Sequence, residues 1–480
     1  MTRLTLGQVS PRFTHPWVLV RQGFIVVCVI AMGMVLAYLL LSPQIELTFS
    51  IIGVFVHFII IWFNPLPGLL FWLVFYPFSE QVVNIPLPAG VPDLSPTRFT
   101  IFFLFTLILI QVALRKRTWP RMTKVDWATA GFAVAILLST FASDDPLAGF
   151  QDALDVYITP LIFYFLLKNL VVDRKGLDQA LGAILIVGGY SAIYMIFEQM
   201  TSYVIDFGKP PDEIITFKYS YVAYTESLRL VQGLYEGTHV FGLIFTMGLP
   251  FAFYYMFRTP SQIKKMFYVI LIGLMLVGLF YTYKRAAYMS LPLSFLIIQF
   301  FYPKFRRFFF IMLVVMIPLL ALTWDKINQS AVVTERLDQG DLSTGNGRDE
   351  IFAEAIQVWK QSPLFGHGFG NVKRVTSFGV TENFYLMVLV STGLVGFIPY
   401  LLMLIFIVTD SIKLYRQVGS NPNIFIDRGL IAVFWGSAFT YVFKSFSGQQ
   451  SAVMSNVLFM LIIGVVVGSQ EAALALDKRK

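Results

Sequence analysis

Residues 384–409 read FYLMVLVSTGLVGFIPYLLMLIFIVT, an uninterrupted apolar run without one charged side chain. About 20 apolar residues in a helix are enough to cross the hydrocarbon core of a bilayer, so this run predicts a membrane-spanning helix. The rest of the chain has the same character, because 57% of the 480 residues are hydrophobic and only 13% are charged. Soluble proteins carry about 25% charged residues. The composition therefore predicts a polytopic membrane protein, and the lack of period-two alternation in the runs excludes a β-barrel.

Apolar runs recur along the whole chain, and each predicts one helical span. Two of them, 47–63 and 67–83, are joined by Asn-Pro-Leu-Pro, so they form either two full crossings or a hairpin that dips into the bilayer. We therefore expect an all-α membrane protein with about 12 to 14 transmembrane helices. The other runs lie near residues 24–41, 98–114, 126–142, 154–170, 179–200, 238–257, 266–282, 286–302, 307–324, 384–409, 429–446 and 452–470.

The charged residues are unequally divided between the two sets of connecting segments. If the N-terminus is cytoplasmic, the cytoplasmic segments hold 23 of the 36 Lys and Arg residues but 7 of the 28 Asp and Glu residues. An excess of Lys and Arg on the cytoplasmic side is the usual bias of membrane proteins. We therefore expect both termini in the cytoplasm, and the net charge of +8 reflects topology instead of nucleic-acid binding. The single Cys28 excludes an intramolecular disulfide.

Two segments predicted on the outer face, at about 201–237 and 325–383, are too long to be simple connections. Most loops in compact structures have about four to six residues, and long loops commonly carry function. We accordingly divide the chain into three parts. They are an N-terminal transmembrane bundle (1–324), a long outer loop that we expect to be catalytic (325–383) and C-terminal transmembrane helices (384–480).

A helical pattern occupies the second half of the longer loop. Asn346 can cap this helix, with Asp349 at the third helical position, and Pro363 ends it. The apolar side chains fall on one face, which predicts a helix that lies on the membrane surface or on top of the bundle. These apolar residues are Phe352, Ala355, Ile356 and Trp359.

Three arginines of the outer face are candidates for binding an anionic group. Arg285 follows Lys284 in a very short outer turn, and Arg348 starts the loop helix, where free backbone N–H groups favour anions. Arg229, in the other long loop, is a weaker candidate. A guanidinium offers paired donors that suit phosphate oxygens, so we expect a lipid-linked diphosphate as ligand. The alternatives are snorkelling to lipid headgroups for Lys284 and Arg285 and a solvated loop charge for Arg229 or Arg348.

Glu382 stands where the long loop re-enters the membrane. A carboxylate there is costly unless it is used or paired, and it can act as general base toward a sugar hydroxyl. A structural ion pair with a loop arginine such as Arg374 is the alternative. His239 and His367 can also serve as bases, although a lone His is more often structural. The sequence has no HExxH or comparable ligand spacing, so we expect neither a metal nor a cofactor.

Several short elements lie between about residues 280 and 400. They are Lys-Arg-Ala-Ala at 284–287, Gly-Arg-Asp-Glu-Ile-Phe at 347–352, Pro-Leu-Phe-Gly-His-Gly-Phe-Gly at 363–370, Glu-Asn-Phe-Tyr-Leu at 382–386 and Gly-Leu-Val-Gly at 393–396. In this order they resemble the signature of the O-antigen ligase and Wzy-type polymerase superfamily. The first element departs from the family's Ser-Arg-Gly-Ala, with Lys for Ser and Ala for Gly.

The resemblance implies a metal-independent, inverting glycosyltransferase of the GT-C type that uses undecaprenyl-diphosphate-linked glycans on the outer face of the membrane. It also implies that Arg285 and Arg348 hold the donor diphosphate and that the residue before Asn383 activates the acceptor. Ligases of this superfamily usually have His at that place, whereas this chain has Glu382, which favours a polymerase. Asn383 and Tyr385, in the same element, are further candidate site residues.

The leading hypothesis is a polysaccharide polymerase of O antigen, capsule or exopolysaccharide in the bacterial inner membrane. The alternatives are a ligase that transfers the glycan to lipid A core or another acceptor, and a flippase or transporter. Apolar runs that are nearly charge-free at their centres disfavour transport. Expected partners are the lipid-linked donor and acceptor, membrane lipids, a flippase and a chain-length regulator, but no nucleic acid.

Overall fold

The structure, a computed structural model, describes residues 45–82, 95–115, 121–201, 234, 238–282, 284–310, 314, 348–377, 381, 383–419, 424–446 and 453–477. Every regular element in these ranges is helical, and no β-strand occurs among them. The all-α prediction is therefore confirmed for this part of the chain. The chain divides into two compact units, Met1–Gly68 and Leu69–Lys480.

Each predicted apolar run is largely helical, except that runs 24–41 and 307–324 lie wholly or largely outside the described residues. The helices are α1 (Ile45–Phe63), α2 (Pro65–Val82), α3 (Pro96–Ala113), α4 (Lys124–Thr140), α5 (Pro146–Ala153), a π-helical turn (Leu154–Ile158), α6 (Thr159–Leu170), α7 (Arg174–Thr201), α8 (Thr238–Arg258), α9 (Gln262–Tyr281), α10 (Arg285–Phe301), α11 (Arg348–Gln361), α12 (Val372–Val375), α13 (Phe384–Gln417), α14 (Arg428–Lys444) and α15 (Val453–Asp477). Of these, α5, α11 and α12 lie between the runs.

Seven helical segments in the described ranges are long and apolar enough to cross a membrane. They are Pro96–Ala113, Pro146–Leu170, Arg174–Thr201, His239–Arg258, Gln262–Tyr281, Phe384–Gln417 and Val453–Glu471. Two more apolar helices, Pro65–Ser79 and Ala286–Phe301, are shorter. The helices agree with a multi-pass membrane protein, while the number of 12 to 14 spans and the GT-C-like arrangement stay predictions.

Local sequence signals begin several of these helices. At α4, the Thr123 hydroxyl accepts a hydrogen bond from the Asp126 N–H, and the Asp126 carboxylate accepts one from the Thr123 N–H. This reciprocal capping satisfies two N–H groups that the first turn leaves without helical partners. At α3 the capping is one-sided, since the Ser95 hydroxyl accepts a hydrogen bond from Arg98 N–H at 3.3 Å. Pro96 follows, and its missing N–H costs nothing at the first helical position.

In the first unit, α1 and the start of α2 form a tight hairpin. The Asn64 carbonyl accepts a hydrogen bond from Gly68 N–H at 3.0 Å. A Cβ on Gly68 would lie 2.6 Å from Cγ1 of Ile61, so a larger residue at this position would push the two helices apart. The hairpin is compatible with both arrangements that the sequence leaves open for this pair.

In the second unit, α8 and α15 are the enclosed helices and α9 is a peripheral one. The apolar windows of α8 and α15 are 83% and 89% buried, whereas that of α9 is 28% buried. Most of the exposed residues of α9 are large and apolar, among them Ile263, Met266 and Phe267. Such a surface suits contact with lipid tails instead of water.

Glycines allow the closest helix contacts of this unit. A Cβ on Gly468 of α15 would lie 2.7 Å from the Lys168 carbonyl oxygen of α6, and one on Gly464 would lie 3.0 Å from the Tyr164 carbonyl oxygen. Small residues let helix backbones approach where lipid supplies no hydrophobic driving force. A side chain at Gly468 would therefore require the α6 and α15 backbones to move apart, and one at Gly464 would require a smaller shift.

Ion pairs gather at one end of α8 and α14, which we call the inner end. Arg258, the last residue of α8, pairs with Asp427, which caps the start of α14. The Tyr254 hydroxyl donates to the same carboxylate. Arg174 lies 3.9 Å from Asp427 and 3.0 Å from Asp178. The sequence analysis predicts that the connecting segments containing these charged residues lie on the cytoplasmic face.

A second ionic cluster belongs to the same predicted face and is buried between α4, α6 and α15. The Lys168 ammonium pairs with the Asp126 carboxylate and lies 3.2 Å from the Glu471 carboxylate. It also donates to the Arg121 carbonyl at 2.8 Å, and the Tyr164 hydroxyl donates to Asp126 at 2.7 Å. Several partners share the two buried charges, which is the condition under which a buried pair is tolerated.

The opposite end of α8 and α14, which we call the outer end, joins segments that the sequence predicts outside. There the Lys444 ammonium donates to the His239 carbonyl at 2.6 Å, and Phe384 N–H donates to the Ser445 carbonyl at 2.8 Å. The 21 residues of α8 separate the two ends by about 30 Å. The predicted alternation of loops thus agrees with the packing, while the assignment of each end to a cellular face stays a prediction.

The loop helix α11 confirms its predicted end but corrects its predicted face. It stops at Gln361, before Pro363. Its buried residues are Ile351, Ala355 and Val358, whereas Ile356, predicted on the apolar face, is exposed. The predicted and the observed set of residues both have helical spacing. Packing of α11 against α13 buries the observed set, which is rotated about the helix axis relative to the predicted one. Asn346, the predicted cap, lies outside the described residues.

Candidate functional site

The outer half of α13 contains a break in the helix at Gly393. This residue has φ 60° and ψ −159°, a backbone conformation that side-chain-bearing residues rarely adopt. A Cβ on Gly393 would also lie 2.3 Å from the Leu364 carbonyl oxygen. The break leaves backbone groups on both of its sides without their usual helical partners, and in a membrane protein these groups must find partners within the protein.

The segment 363–368 supplies those partners. On the first side of the break, the carbonyls of Val390 and Ser391 accept hydrogen bonds from the N–H groups of His367 and Gly368, at 2.8 and 3.0 Å. On the other side, Leu394 and Val395 donate to the carbonyls of Pro363 and Leu364, at 2.9 and 3.1 Å. The Pro-Leu-Phe-Gly-His-Gly and Gly-Leu-Val-Gly elements are therefore two halves of one backbone joint.

Glycines of the loop permit this close docking. Gly366 has φ +70°, and a Cβ there would lie 2.5 Å from the Ser391 carbonyl carbon. Gly368 has φ +93°, and its Cβ would lie 2.7 Å from the backbone of Ala142 and Ser143, just after α4. Backbone conformation and space both require glycine at these two positions, so the motif is explained by packing before any chemistry is considered.

Asn371 ties the loop to the outer connection between α4 and α5. Its side-chain oxygen accepts hydrogen bonds from the Ser143 hydroxyl at 3.1 Å and from Asp144 N–H at 3.2 Å. Its amide nitrogen donates to the His367 carbonyl at 2.9 Å. Nothing in the sequence shows that residues 143 and 371 meet, so Asn371 cannot be recognised as a site residue from the sequence alone.

His367, a candidate base, has a structural partner in the loop helix. Its Nε2 lies 2.7 Å from the Val358 carbonyl oxygen. Because a carbonyl can only accept, this nitrogen carries the proton in that contact. The half-buried ring thus connects the docked loop to α11. His367 therefore stabilises the joint twice, through its N–H to the Val390 carbonyl and through its ring to the Val358 carbonyl.

Beneath the docked loop lies an aromatic cluster. The Tyr157 ring, in the π-helical turn, contacts Phe369 edge to face at 5.2 Å and stacks with Phe384 at 5.9 Å between ring centroids. Pro160, four residues after Val156, has no N–H to donate to the Val156 carbonyl, and the Asn456 side chain donates to this carbonyl at 2.7 Å instead. The cluster links the loop, the start of α13 and the bundle core.

Asn383 and Tyr385, two candidate site residues, fix the start of α13. The Asn383 side chain caps the helix by accepting from Tyr385 N–H at 2.9 Å and Leu386 N–H at 3.1 Å, and it donates to the Phe446 carbonyl. The Tyr385 hydroxyl donates to the Val442 carbonyl at 3.1 Å. Both residues therefore hold the re-entering chain against the end of α14.

Glu382 itself lies outside the described residues, as does Arg229. The neighbours of Glu382 in the chain, Thr381 and Asn383, are buried, and the Thr381 hydroxyl donates to the Asn383 carbonyl at 2.9 Å. Arg285 and Arg348 are the first residues of α10 and α11, and their side chains are outside the described part. The catalytic and diphosphate-binding roles of these residues stay predictions.

The end of α14 lies between the start of α13 on one side and the starts of α8 and α10 on the other. Ser445 and Phe446 accept from the α13 start, while Lys444 donates to His239. Lys444 was missed in the sequence analysis. The signal was a lysine at the outer end of an apolar span, where the positive-inside bias makes lysine unusual.

Arg374, the suggested structural partner of Glu382, lies 3.5 Å from the Asp144 carboxylate, and both side chains are largely exposed. In the described ranges no three His, Cys, Asp or Glu side chains are grouped as a metal site would require. Metal independence stays a prediction.

Residues 270–401 match the family model described as O-antigen ligase (Wzy_C). A search of curated proteins finds no match to the chain. Members of the matched family are glycosyltransferase-like enzymes, and the family implies lipid-linked glycan substrates and membrane lipids. Together with the seven apolar helices, the match indicates a multi-pass membrane protein. The resemblance recognised in the sequence is thereby confirmed for residues 270–401, and the match supports the O-antigen ligase and Wzy-type polymerase superfamily.

Proposed function

We propose that the protein is a polysaccharide polymerase that joins undecaprenyl-diphosphate-linked oligosaccharide repeats on the outer face of the cytoplasmic membrane. The observation that carries this proposal is the match of residues 270–401, which contain the docked loop, the helix break and the start of α10. Glu382 in place of the histidine usual in ligases favours polymerase over ligase.

The proposed reaction is a single inverting displacement. The hydroxyl at the non-reducing end of one lipid-linked repeat attacks the anomeric carbon of another, and Glu382 takes the hydroxyl proton. The bond between that carbon and the diphosphate oxygen breaks, and the diphosphate leaves on its lipid. Arg285 and Arg348 hold the negative charge that develops on the leaving group. The product is one longer glycan on the acceptor's lipid.

The contacts of the outer end support this division of roles. Asn383 fixes the backbone next to Glu382 against α14, and the joint at Gly393 fixes the loop that follows α11. Electrostatic catalysis requires charged groups and hydrogen-bond donors in fixed positions, because such groups do not have to rearrange when charge develops in the transition state. In the proposed topology this end faces outward, 325–383 forms the catalytic loop, and both termini are cytoplasmic.

The lipid-linked products in a deletion strain test the proposal. Loss of a polymerase leaves single repeats on undecaprenyl diphosphate, and this is the expected result. Loss of a ligase, the function in the name of the matched family, would instead leave long polymer on the same lipid. Absence of repeats from the outer leaflet would point to a flippase. Purified protein given lipid-linked repeats should extend them without any other protein.

A further inference from the structure

We infer that the turn after α10 binds the headgroup of an anionic phospholipid at the inner end of the bundle. The segment 300–310 reads Phe-Phe-Tyr-Pro-Lys-Phe-Arg-Arg-Phe-Phe-Phe, in which three cations are interleaved with aromatic residues. This inference does not depend on the proposed function, because a polymerase, a ligase and a flippase would all meet the same membrane lipids.

The turn is short and closed by backbone hydrogen bonds. The helix α10 ends at Phe301, Tyr302 follows, and residues 303–310 are helical again. The Tyr302 carbonyl accepts hydrogen bonds from Phe305 N–H at 3.0 Å and from Arg306 N–H at 3.2 Å. Because so few residues connect α10 to the next predicted apolar run, the first residues of the second helix lie at the membrane surface.

An aromatic cluster fixes the turn against α8 and α10. The Phe305 side chain is 1% exposed, and its ring centroid lies 5.0 Å from that of Phe295 and 6.0 Å from that of Phe253. A Cβ on Gly429, in the first turn of α14, would lie 2.9 Å from the Tyr302 ring. These buried rings therefore decide which face of the second helix stays exposed.

The exposed face carries the three cations, Lys304, Arg306 and Arg307. In the described ranges, no carboxylate lies within 4.0 Å of their charged groups, the limit for an ion pair. The Asp427 carboxylate, at the same end of the bundle, is already paired with Arg258. Three like charges on one helical turn repel one another, and a bound phosphate group would relieve this repulsion.

Exposed aromatic residues flank these cations on the membrane side. Phe300, in the last turn of α10, is 71% exposed, and Phe310 is 56% exposed. Phe310 lies one helical turn, about 5 Å, beyond Arg306 and Arg307 on the same face. Cations at the level of the headgroups, with aromatic rings one turn deeper, match a phospholipid whose phosphate lies above its acyl chains.

The chemistry of this surface favours an anionic phospholipid over other ligands. Guanidinium groups offer paired donors to phosphate oxygens, and clustered Lys and Arg residues beside a membrane helix attract anionic lipids. The ammonium group of a zwitterionic lipid would be repelled by the three cations. A soluble phosphate would leave Phe300 and Phe310 without a partner. The bound lipid would also hold α10 and the helix after it together.

Binding of a fluorescent phosphatidylglycerol to the purified full-length protein in detergent micelles tests this inference, with fluorescent phosphatidylcholine as the comparison lipid. The triple variant Lys304→Gln, Arg306→Gln and Arg307→Gln should bind phosphatidylglycerol about a hundredfold more weakly, since each cation at a membrane surface contributes about fivefold to the attraction of anionic lipid. Its affinity for phosphatidylcholine should not change. Phosphatidylglycerol should raise the melting temperature of the wild type more than that of the variant.

The matched control is the triple variant Arg115→Gln, Arg121→Gln and Lys124→Gln. It removes the same three charges from exposed positions on the same predicted face, at the connection between α3 and α4. Because salt screens charges that lie away from a binding site, this variant should bind phosphatidylglycerol nearly like the wild type. An equal loss in both triple variants would overturn the inference, since total charge would then explain the binding.

Melting temperatures in lipid-free detergent show which variants fold. If the triple variant of the turn does not fold, the pair Arg306→Gln and Arg307→Gln replaces it, with an expected loss of about 25-fold. Equal phosphatidylglycerol affinity in the wild type and the folded variant would refute the inference. Displacement of the fluorescent lipid by glycerol phosphate as readily as by unlabelled phosphatidylglycerol would do the same, because the turn would then bind a soluble phosphate.

Discussion

The inner and outer ends of α8 and α14 are held together by different kinds of contact. At the inner end, cations meet carboxylates: Arg258 pairs with Asp427, and nearby Lys168 pairs with Asp126. At the outer end, the contacts described above are mostly backbone hydrogen bonds, such as those that dock the loop in the break at Gly393. Lys444 follows this pattern, since the acceptor described for it is a carbonyl.

The difference follows from what each end has to do. Ion pairs neutralise charge and can form wherever two helices meet, so they suit an end of the bundle whose only role is to keep the helices together. Backbone hydrogen bonds fix the position of the docked loop and of the start of α13, the segments that carry the predicted site residues. We therefore expect changes at the outer end to act on the reaction and changes at the inner end to act on stability.

The largest effect should come from the arginines at the starts of α10 and α11. Arg285→Ala and Arg348→Ala should reduce polymer below detection at normal protein levels, because each removes charge-assisted contacts to the diphosphate. Lysine should rescue poorly, since it lacks the paired donors of a guanidinium. Polymer is measured on gels of lipid-linked products.

Arg374→Ala provides the control for these variants. Its guanidinium pairs with Asp144 at an exposed position, where such a pair contributes less than about 1 kcal/mol, so activity should stay near normal. Near-normal polymer from both lysine variants would mean that Arg285 and Arg348 provide only bulk charge.

Glu382→Gln should lower the turnover by about 10² to 10⁴, the usual contribution of general-base catalysis, with little change in donor affinity. Glutamine has nearly the same shape but cannot take the proton. Turnover and donor KM of the purified protein measure the effect, and Glu350→Gln, in the exposed first turn of α11, is the control. Reduced stability with activity per folded molecule retained would make Glu382 a structural residue.

Lys168→Met tests the opposite end. Removing one partner of a buried ion pair typically costs about 3 to 5 kcal/mol, because the remaining charge stays buried. The side chains of Lys168 and Asp126 are almost fully buried, so the melting temperature should fall markedly while polymer per folded molecule is retained. Lys413→Met, which breaks an exposed pair with Asp410, should change neither. A selective loss of turnover in folded Lys168→Met would contradict the division between the two ends.

Gly393→Ala should have the smallest effect in this series, about 2 to 3 kcal/mol in the free energy of unfolding, from backbone strain and a close contact with Leu364. Because the strain falls on the loop joint, turnover should drop more than stability alone explains. Gly273→Ala on α9 is the control, since a Cβ there meets nothing within 4 Å. If the two variants have equal turnover and equal melting temperature, the joint at Gly393 does not contribute to the site.

The sequence by itself determined the fold class and most helix positions. Apolar runs near the length of a bilayer crossing can be recognised without knowing how the helices pack, because the lipid environment itself requires such runs. The end of α11 followed from local chemistry in the same way, because Pro363 stands two residues after its last residue, Gln361. The family resemblance could also be recognised from the sequence, because its elements are short and follow one another in a fixed order along the chain.

Only the tertiary structure decided which faces and which distant residues meet. The apolar stripe of α11 was predicted with Ile356 inside, and packing against α13 selected Ile351, Ala355 and Val358 instead. The meeting of Asn371 with Ser143, and of Lys444 with the first turns of α8 and α10, joins residues far apart in the chain. Hydropathy and spacing describe one helix at a time, whereas these contacts depend on how several helices pack. This is why the sequence identified Arg285 and Glu382 as candidates but not Lys444.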